Sequence, residues 1–542
     1  MTRAEAQRRG PAPNEADYVI AGGGSAGCAL AYRLSADPRN QVVLLEAGPP
    51  TDRFWVNVPA GFARLIRDPE LNWFYAAEPD PTAGGRRVPW PSGKGLGGGS
   101  AINGMVYIRG ARYDYDRWSE MGCAGWSWNE VFPYFTRAET FEGEPVQSHG
   151  RSGPLGVAPL RIVHPLAHAF ISACEQVGMA RIEDYCEGDI DGTFINVATQ
   201  RRGQRSSTAA SYLAAARSRP NLKVVTGALV DRVLFEGDRA CGVIYRQGGA
   251  EHVVRATGEV ILSAGAIQSP AILMRSGVGP ADDLGAMGIE VQRAADGVGR
   301  NLHEHASIRA SWFTTLRTYN AVTDPVRLAA HGLAYLLFRR GMLSTCTVHA
   351  MAHAKSRPDA PHPDIKLQML PFRVRRETEG GKQRSGISVT INNMFPRARG
   401  RIRLRSADPA DTPLIDYRMY EHPEDLAVMR AGVRLVESIF AAPGLAPYVA
   451  GSDFPPRGLS DDELDGLIRE SSAVGMHPVS TCRMGADAAS VVDPQLRVRG
   501  VRRLRVIDAS VMPILPSANT NAPTIMIAEK GADMVLEAAG PR

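Results

Sequence analysis

His477 lies in GMHPVSTCRMG, Gly475 to Gly485, between a Gly-Met pair and a proline. Imidazole is the side chain suited to moving protons near neutral pH. A histidine before a proline turn can also be a satisfied core residue, so its surroundings decide the reading. Early in the chain, GGGSAG puts Gly22, Gly24 and Gly27 in the GxGxxG positions. Glycines so spaced let backbone approach a pyrophosphate seated on a helix N-terminus. Glu46 closes the next apolar run, QVVLLEAG, about 20 residues on, where a carboxylate meets a ribose hydroxyl. Gly23-Gly-Ser-Ala-Gly27 also matches GxSxG, the nucleophile elbow of α/β-hydrolases. That elbow follows several earlier strands, whereas this would be the first strand of the chain. Ser25 therefore reads as a phosphate ligand or a helix cap. His349 and His353 have the i,i+4 spacing a metal could use, but the HExxH glutamate and a third ligand are missing. No metal site is expected.

These residues need elements to hold them. Asp17–Ala21 reads as a buried strand, CALAYRLSAD as a helix, and QVVLLEAG as a second strand, which makes a βαβ unit. Two further glycine-rich runs follow: PSGKGLGGGSAINGMVYIRG, Pro91 to Gly110, and SAGAIQSPAILMRSGVGP, Ser263 to Pro280. Gly97 to Asn103 would let backbone come close to a flat ring and a diphosphate. Met105, Val106 and Ile108 after it predict a buried loop. Asp508 ends the strand LRVID, where a carboxylate can accept from a sugar-like hydroxyl or cap a helix. Pro523 is predicted at N1 of a C-terminal helix, whose positive end would favour an anionic ring. PDIKLQML and SGISVTINNMF alternate as strands do.

The 542 residues, 44% hydrophobic and 22% charged, suffice for more than one domain and exclude a disordered chain. The net charge of +5 is thin, and without aromatic-interleaved basic stripes no nucleic-acid partner is expected. Arg375-Arg376 and the arginines of Arg497–Arg505 read as solvated faces. The cysteines, Cys28, Cys123, Cys174, Cys186, Cys241, Cys346 and Cys482, form no CxxC and suit a reducing compartment. The N-terminus lacks an apolar signal core, and no run approaches the roughly 18 apolar residues of a span. HGLAYLLF, His331 to Phe338, reads as a packed helix. The expected location is cytoplasmic, or peripheral to the inner membrane.

Together the three glycine-rich runs and VIDASVMPILPSANTNAPTIMIAEKGADMV, Val506 to Val535, resemble the glucose-methanol-choline oxidoreductases, which oxidise alcohols with FAD. The resemblance covers nearly the whole chain and is closest to bacterial choline-dehydrogenase-like and sorbose-dehydrogenase-like enzymes. It implies an α/β (α+β overall) fold with a Rossmann-like FAD-binding domain, discontinuous over 15–308 and 475–542. A substrate domain on an antiparallel sheet is implied over 309–474. It implies His477 as active-site base and Asn521, in NTNAPT, as its partner on the substrate oxygen. The implied FAD contacts are Gly22, Gly24, Ser25, Gly27, Glu46, Ala47, Trp73, Gly97, Gly98, Ser100, Asn103, Gly104, Met105, Val106, Val230, Ala264, Asp508, Ala509, Asn519, Pro523 and Thr524. Some members tether the flavin through a histidine where this chain has Ile102, so non-covalent FAD is expected. His303-Glu-His305 resembles a loop of the FAD domain. Choline-oxidising relatives set a carboxylate against the quaternary ammonium. The matching stretch here, Gly341 to Pro358, has no acid, and His349 falls near that position. An uncharged primary alcohol or polyol is the expected substrate, with a quinone- or dye-type acceptor ahead of oxygen. The alternatives are choline dehydrogenation, a non-redox hydroxynitrile lyase on the same fold, and a serine hydrolase built on Ser25.

Overall fold

The computed structural model describes residues 12–374 and 383–540. β1 (Glu15–Ala21), α1 (Ser25–Leu34) and β2 (Val42–Glu46) form the expected βαβ unit, with β2 parallel to β1. Every residue of β2 is buried, as a parallel strand covered on both faces requires. Gly27 lets α1 close onto the strand: a Cβ there would lie 1.9 Å from the Gly22 carbonyl oxygen.

β3 (Leu222–Thr226), β4 (Leu229–Glu236), β5 (Arg239–Gln247) and β6 (Ala250–Leu262) extend this sheet in the order β3-β2-β1-β6-β5-β4. β3, β2, β1 and β6 are parallel, while β4, β5 and β6 form an antiparallel meander. α2 (Gly265–Arg275) leaves the end of β6.

A second sheet is antiparallel throughout. Its strands are β7 (Ala306–Thr314), β8 (Ala350–Ala354), β9 (Ile365–Leu370), β10 (Gly386–Asn393) and β11 (Val449–Phe454), in the order β11-β7-β10-β9-β8. Thr193–Ile195 adds to β8, and Ala473–Val474 pairs with β7. Between β7 and β8 runs α3 (Pro325–Phe338), and α4 (Pro423–Ala441) covers one face of the sheet. β12 (Leu504–Val506) returns to the first sheet alongside Val260–Leu262, and α5 (Asn521–Ala539) packs on α1.

Four sequence expectations change. HGLAYLLF is helical but not packed: in α3 only Tyr335 is buried. His349 and His353 lie in extended chain, where the rise of roughly 3.3 Å per residue sets them about 13 Å apart. Arg505 is not solvated but buried, with its guanidinium on Glu259. Pro523 is the third residue of α5, not the first. It is tolerated there because the first four helical N–H groups have no intrahelical acceptor. The Arg375-Arg376 pair lies outside the described residues.

Candidate active site

A cleft with about 1920 Å³ of empty volume, open mouth included, runs past the carboxyl ends of β1, β2 and β6. In an open α/β sheet this is where ligands sit. The second sheet forms the opposite wall. Strand period two sends alternate residues to that wall: Ser307 and Arg309 from β7, Gln368 and Leu370 from β9, Thr390 and Asn392 from β10.

At the first-sheet end the walls are built without side chains. Gly22 has φ +107°, and a Cβ there would lie 2.5 Å from the Ser263 carbonyl oxygen. Gly98 has φ +49°, and its Cβ would lie 2.9 Å from the Gly24 Cα, so the two glycine loops touch. A Cβ on Gly99 or Gly265 would meet nothing within 4 Å. The space beside them is thus kept open rather than filled by packing.

Glu46 lines this end. Its Oε2 accepts the Gly23 N–H at 2.8 Å, and its Oε1 accepts those of Gly48 at 2.8 Å and Gly95 at 2.9 Å. A carboxylate has about four acceptor positions, which leaves one for a ligand hydroxyl. Asp508 is similar. Its Oδ2 accepts from Gly265 N and Ser269 Oγ, and its Oδ1 accepts from Ser510 N, which caps the short helix Ala509–Val511. Both roles considered for Asp508, cap and ligand acceptor, are therefore compatible. A glycine-lined trough with an acceptor at each side suits a dinucleotide.

The chemistry-bearing end is built around His477. Its Nδ1 lies 3.0 Å from His305 Nδ1, and its Nε2 lies 2.9 Å from Asn519 Nδ2. Gln368 Nε2 donates to Asn519 Oδ1 at 3.3 Å, which turns the Asn519 amide nitrogen towards the histidine. The network then assigns the tautomer. His477 Nε2 accepts, so Nδ1 carries the hydrogen and donates it to His305. The lone pair at Nε2 accepts from Asn519, and both side chains line the cleft.

Glu304 supports the histidine from behind, its two oxygens accepting the His477 N–H at 2.9 and 2.7 Å. Burial pushes its carboxyl up to about 8. Burial pushes Lys366, on β9, down to about 7, and its Nζ has no hydrogen-bond partner among the described residues. Burial first, and then the nearby Lys366 charge, hold His477 well below the ordinary histidine value. A neutral imidazole at pH 7 follows. Glu304, His305 and His477 put ligating atoms within 4.8 Å of one another. Their hydrogen bonds to each other and to backbone already account for that grouping.

Most residues expected at the site line the cleft: Gly22, Gly24, Ser25, Glu46, Ala47, Trp73, Gly98, Asn103, Gly104, Met105, Val106, Val230, Ala264, His477, Asp508, Ala509, Asn519, Asn521 and Thr524. Gly27, Gly97, Ser100 and Pro523 stand behind it. Gly97 donates to the Gly23 carbonyl, and Ser100 Oγ bonds the Gly97 carbonyl and Thr208. Asn521 lies in the cleft but does not meet His477. Its Oδ1 accepts from Ser25 Oγ at 2.8 Å, and it is Asn519 that bonds His477. That bond also leaves Ser25 without a histidine, so the hydrolase reading has no base. His349 is buried away from the cleft, bonded to Thr345 and to the His164 backbone, while Thr347 and Val348 face inward. Sequence reasoning missed His305, Gln368 and Arg309. The NLHEH run holding His305 was visible, but nothing local tied it to His477.

Two family models described as GMC oxidoreductase, one N-terminal and one C-terminal, match this chain over residues 16–307 and 396–528. The chain is 40% identical over 526 residues to an alcohol dehydrogenase [acceptor] of Pseudomonas putida, covering 96% of this chain and 95% of that protein. It is 40% identical over 545 residues to the mitochondrial choline dehydrogenase of Homo sapiens, covering 98% and 92%. The crystal structure of a pyridoxine 4-oxidase from Mesorbium loti superimposes with a TM-score of 0.87 at 30% identity, over 96% of this chain and 98% of that one.

Proposed function

The chain belongs to the GMC oxidoreductase family and is an FAD-dependent alcohol oxidoreductase, and from that premise we propose that His477 and Asn519 act on an uncharged primary alcohol or polyol. The observation that carries this is the hydrogen bond between Asn519 Nδ2 and His477 Nε2 on the cleft wall, which a substrate hydroxyl can replace by accepting from the one and donating to the other. When bound, FAD supplies the two-electron acceptor for the carbinol hydride. The chain's residues do the rest. His477 Nε2, neutral and held by His305, accepts the hydroxyl proton as the aldehyde forms. Asn519 Nδ2 donates to the substrate oxygen and fixes its direction, with Gln368 holding the amide. Gly22, Gly24 and Gly98 give backbone access to the pyrophosphate, and Glu46 accepts from the ribose.

FAD is held without a covalent bond on this reading. Ile102 packs with Val56, Leu65 and Leu71 in an apolar cluster, and among the described residues no cysteine or tyrosine lines the cleft. Residues 15–308 and 475–540 form the cofactor part and 309–474 the substrate part. The first of these lends Thr193–Ile195 to the second sheet, and the expected end at 542 lies outside the described residues. Among the described residues the carboxylates lining the cleft are Glu46 and Asp508, both at the cofactor end, while Arg309 projects from the substrate sheet. Among the described residues a quaternary ammonium has no counter-ion at the substrate end, which favours a neutral alcohol over choline. The electron acceptor is of quinone or dye type.

The test is steady-state kinetics with a dye acceptor on a panel of neutral alcohols and choline, for wild type and His477→Ala. Preference for a neutral alcohol and a loss of at least about 100-fold in kcat with FAD retained support the reading. Choline turnover equal to the best neutral alcohol would remove the substrate assignment.

A further inference from the structure

A second grouping of metal-ligating atoms lies away from the cleft. His149, Asp184 and Cys186 bring a ring nitrogen, a carboxylate oxygen and a thiol within 4.8 Å of one another. Cys186 is fully buried, and the His149 side chain is 3% exposed. His149 follows the strand Glu139–Phe141, and its ring stacks on Phe141 with 3.7 Å between centroids. Asp184 caps the short helix Tyr185–Glu187 by accepting the Cys186 N–H, so the acid and the thiol leave one turn together. His149 and Asp184 stand far apart in the chain, so no motif spacing announces the group in the sequence.

The arrangement suits an ion better than hydrogen bonds alone. His149 Nε2 lies 3.6 Å from Asp184 Oδ1, too long for a hydrogen bond. Ligand atoms set about 2.0–2.3 Å from a tetrahedral centre lie roughly 3.3–3.8 Å apart, which matches. The other ring nitrogen, Nδ1, donates to Glu139 Oε1 at 2.6 Å, and Arg109 holds Glu139 at 2.9 Å. A carboxylate on the far nitrogen is what orients a metal-bound imidazole. Ser148 Oγ steadies Asp184 in turn. The group around His477 differs, because its ring nitrogens are taken up by His305 and Asn519. Burial opposes a charge on His149, yet Asp184, Cys186 and Glu139 hold a proton there and push it up to about 11. The pocket therefore already stabilises one positive charge. When a divalent ion enters, the imidazolium and the thiol release two protons, and the net charge of the pocket is unchanged. A nucleophilic role for Cys186 does not fit, since no substrate reaches a fully buried sulfur. A bare ion can pass Asp184, whose side chain is 26% exposed.

We propose that His149, Asp184 and Cys186 bind a structural zinc ion, with water from the Asp184 side as the fourth ligand. The mixed nitrogen, oxygen and sulfur donor set suits zinc. The ion ties the loop after Glu139–Phe141 to the Tyr185–Glu187 helix. Both are bonded to the segment that follows the cleft-lining Met105 and Val106. Arg109 Nη1 donates to the carbonyls of Ser148 and Cys186, and the Tyr185 hydroxyl donates to the Tyr107 carbonyl. The site braces the cofactor wall from behind and takes no part in the reaction. The inference stands on this cluster and does not need the active-site reading.

The test is equilibrium dialysis of EDTA-stripped, FAD-loaded full chain against micromolar zinc at pH 8, with bound metal read by atomic emission. The variants are Cys186→Ala, Asp184→Asn and His477→Ala, and far-UV circular dichroism reports their folding. The proposal expects one zinc ion per wild-type chain and the same in His477→Ala. Cys186→Ala and Asp184→Asn should bind zinc at least about tenfold more weakly. Zinc should also raise the Tm of wild type and leave that of Cys186→Ala unchanged. Wild type without stoichiometric zinc overturns the proposal. Uptake by Cys186→Ala and Asp184→Asn equal to wild type means surface binding only and overturns it too. Zinc lost in His477→Ala but kept in the other two places the ion in the cleft and overturns it as well.

Discussion

Asn519 and Asn521 are near neighbours of one residue type, and only geometry separates their tasks. Asn519 holds the imidazole of His477, whereas Asn521 holds the hydroxyl of Ser25. Asn519→Ala should lower kcat with an aliphatic alcohol about 10- to 100-fold, with FAD content unchanged. Asn521→Ala should mainly weaken FAD retention, which the visible absorption of the purified variant measures. Equal loss of kcat in both, with equal FAD, would contradict the division. The protonation of His477 gives a second check. Its conjugate acid is disfavoured by burial and by Lys366, so the active neutral form should persist as pH falls through the ordinary histidine value of about 6.5. The acid limb of kcat/KM should then lie below that value. Lys366→Met removes a positive charge and should move the limb upward, and a downward shift would contradict the assignment. The family resemblance implied a histidine and an asparagine, and pointed to His477 and Asn521. The sequence could not choose between two asparagines two positions apart, because the choice depends on how the last turn before α5 aims each amide. His305 was illegible for a related reason: its link to His477 crosses 172 residues of chain.

The glycine loops work as a pair. Gly98 adopts φ 49° and ψ −128°, a conformation open to glycine and costly for other residues by about 1–3 kcal/mol. Its missing side chain also lets the loop touch Gly24. Gly98→Ala should therefore yield protein with at least about tenfold weaker FAD retention, measured by fluorescence of released flavin, while far-UV circular dichroism stays native. Wild-type retention would show that the contact is slack. The βαβ unit and these loops were legible because glycine spacing and buried strands leave a local signature. The residues of β7, β9 and β10 that face the cleft were not. Their alternation marks them as strands, but which face meets the cleft is set by packing α4 on the other side. α3 shows the opposite failure, since an apolar run says that burial is wanted but not by what.

At the scale of the molecule, two sheets enclose one cleft, with backbone-lined cofactor space at one end and His477 at the other. The division of labour predicts how substrates are sorted. With Arg309 in the wall and, among the described residues, both lining carboxylates at the cofactor end, choline should react with a kcat/KM at least about tenfold below that of a neutral primary alcohol. Arg309→Glu should narrow that gap, as read by the same assay. The central claim, that this cleft joins FAD to alcohol oxidation through His477, has one direct test. Purified FAD-loaded protein is mixed anaerobically with a primary alcohol, and the flavin's visible band is followed for wild type and His477→Ala. The account predicts a yellow protein that bleaches in wild type and bleaches at least about 100-fold more slowly in the variant. A yellow wild type that no alcohol bleaches, or a variant that bleaches at the same rate, would contradict it.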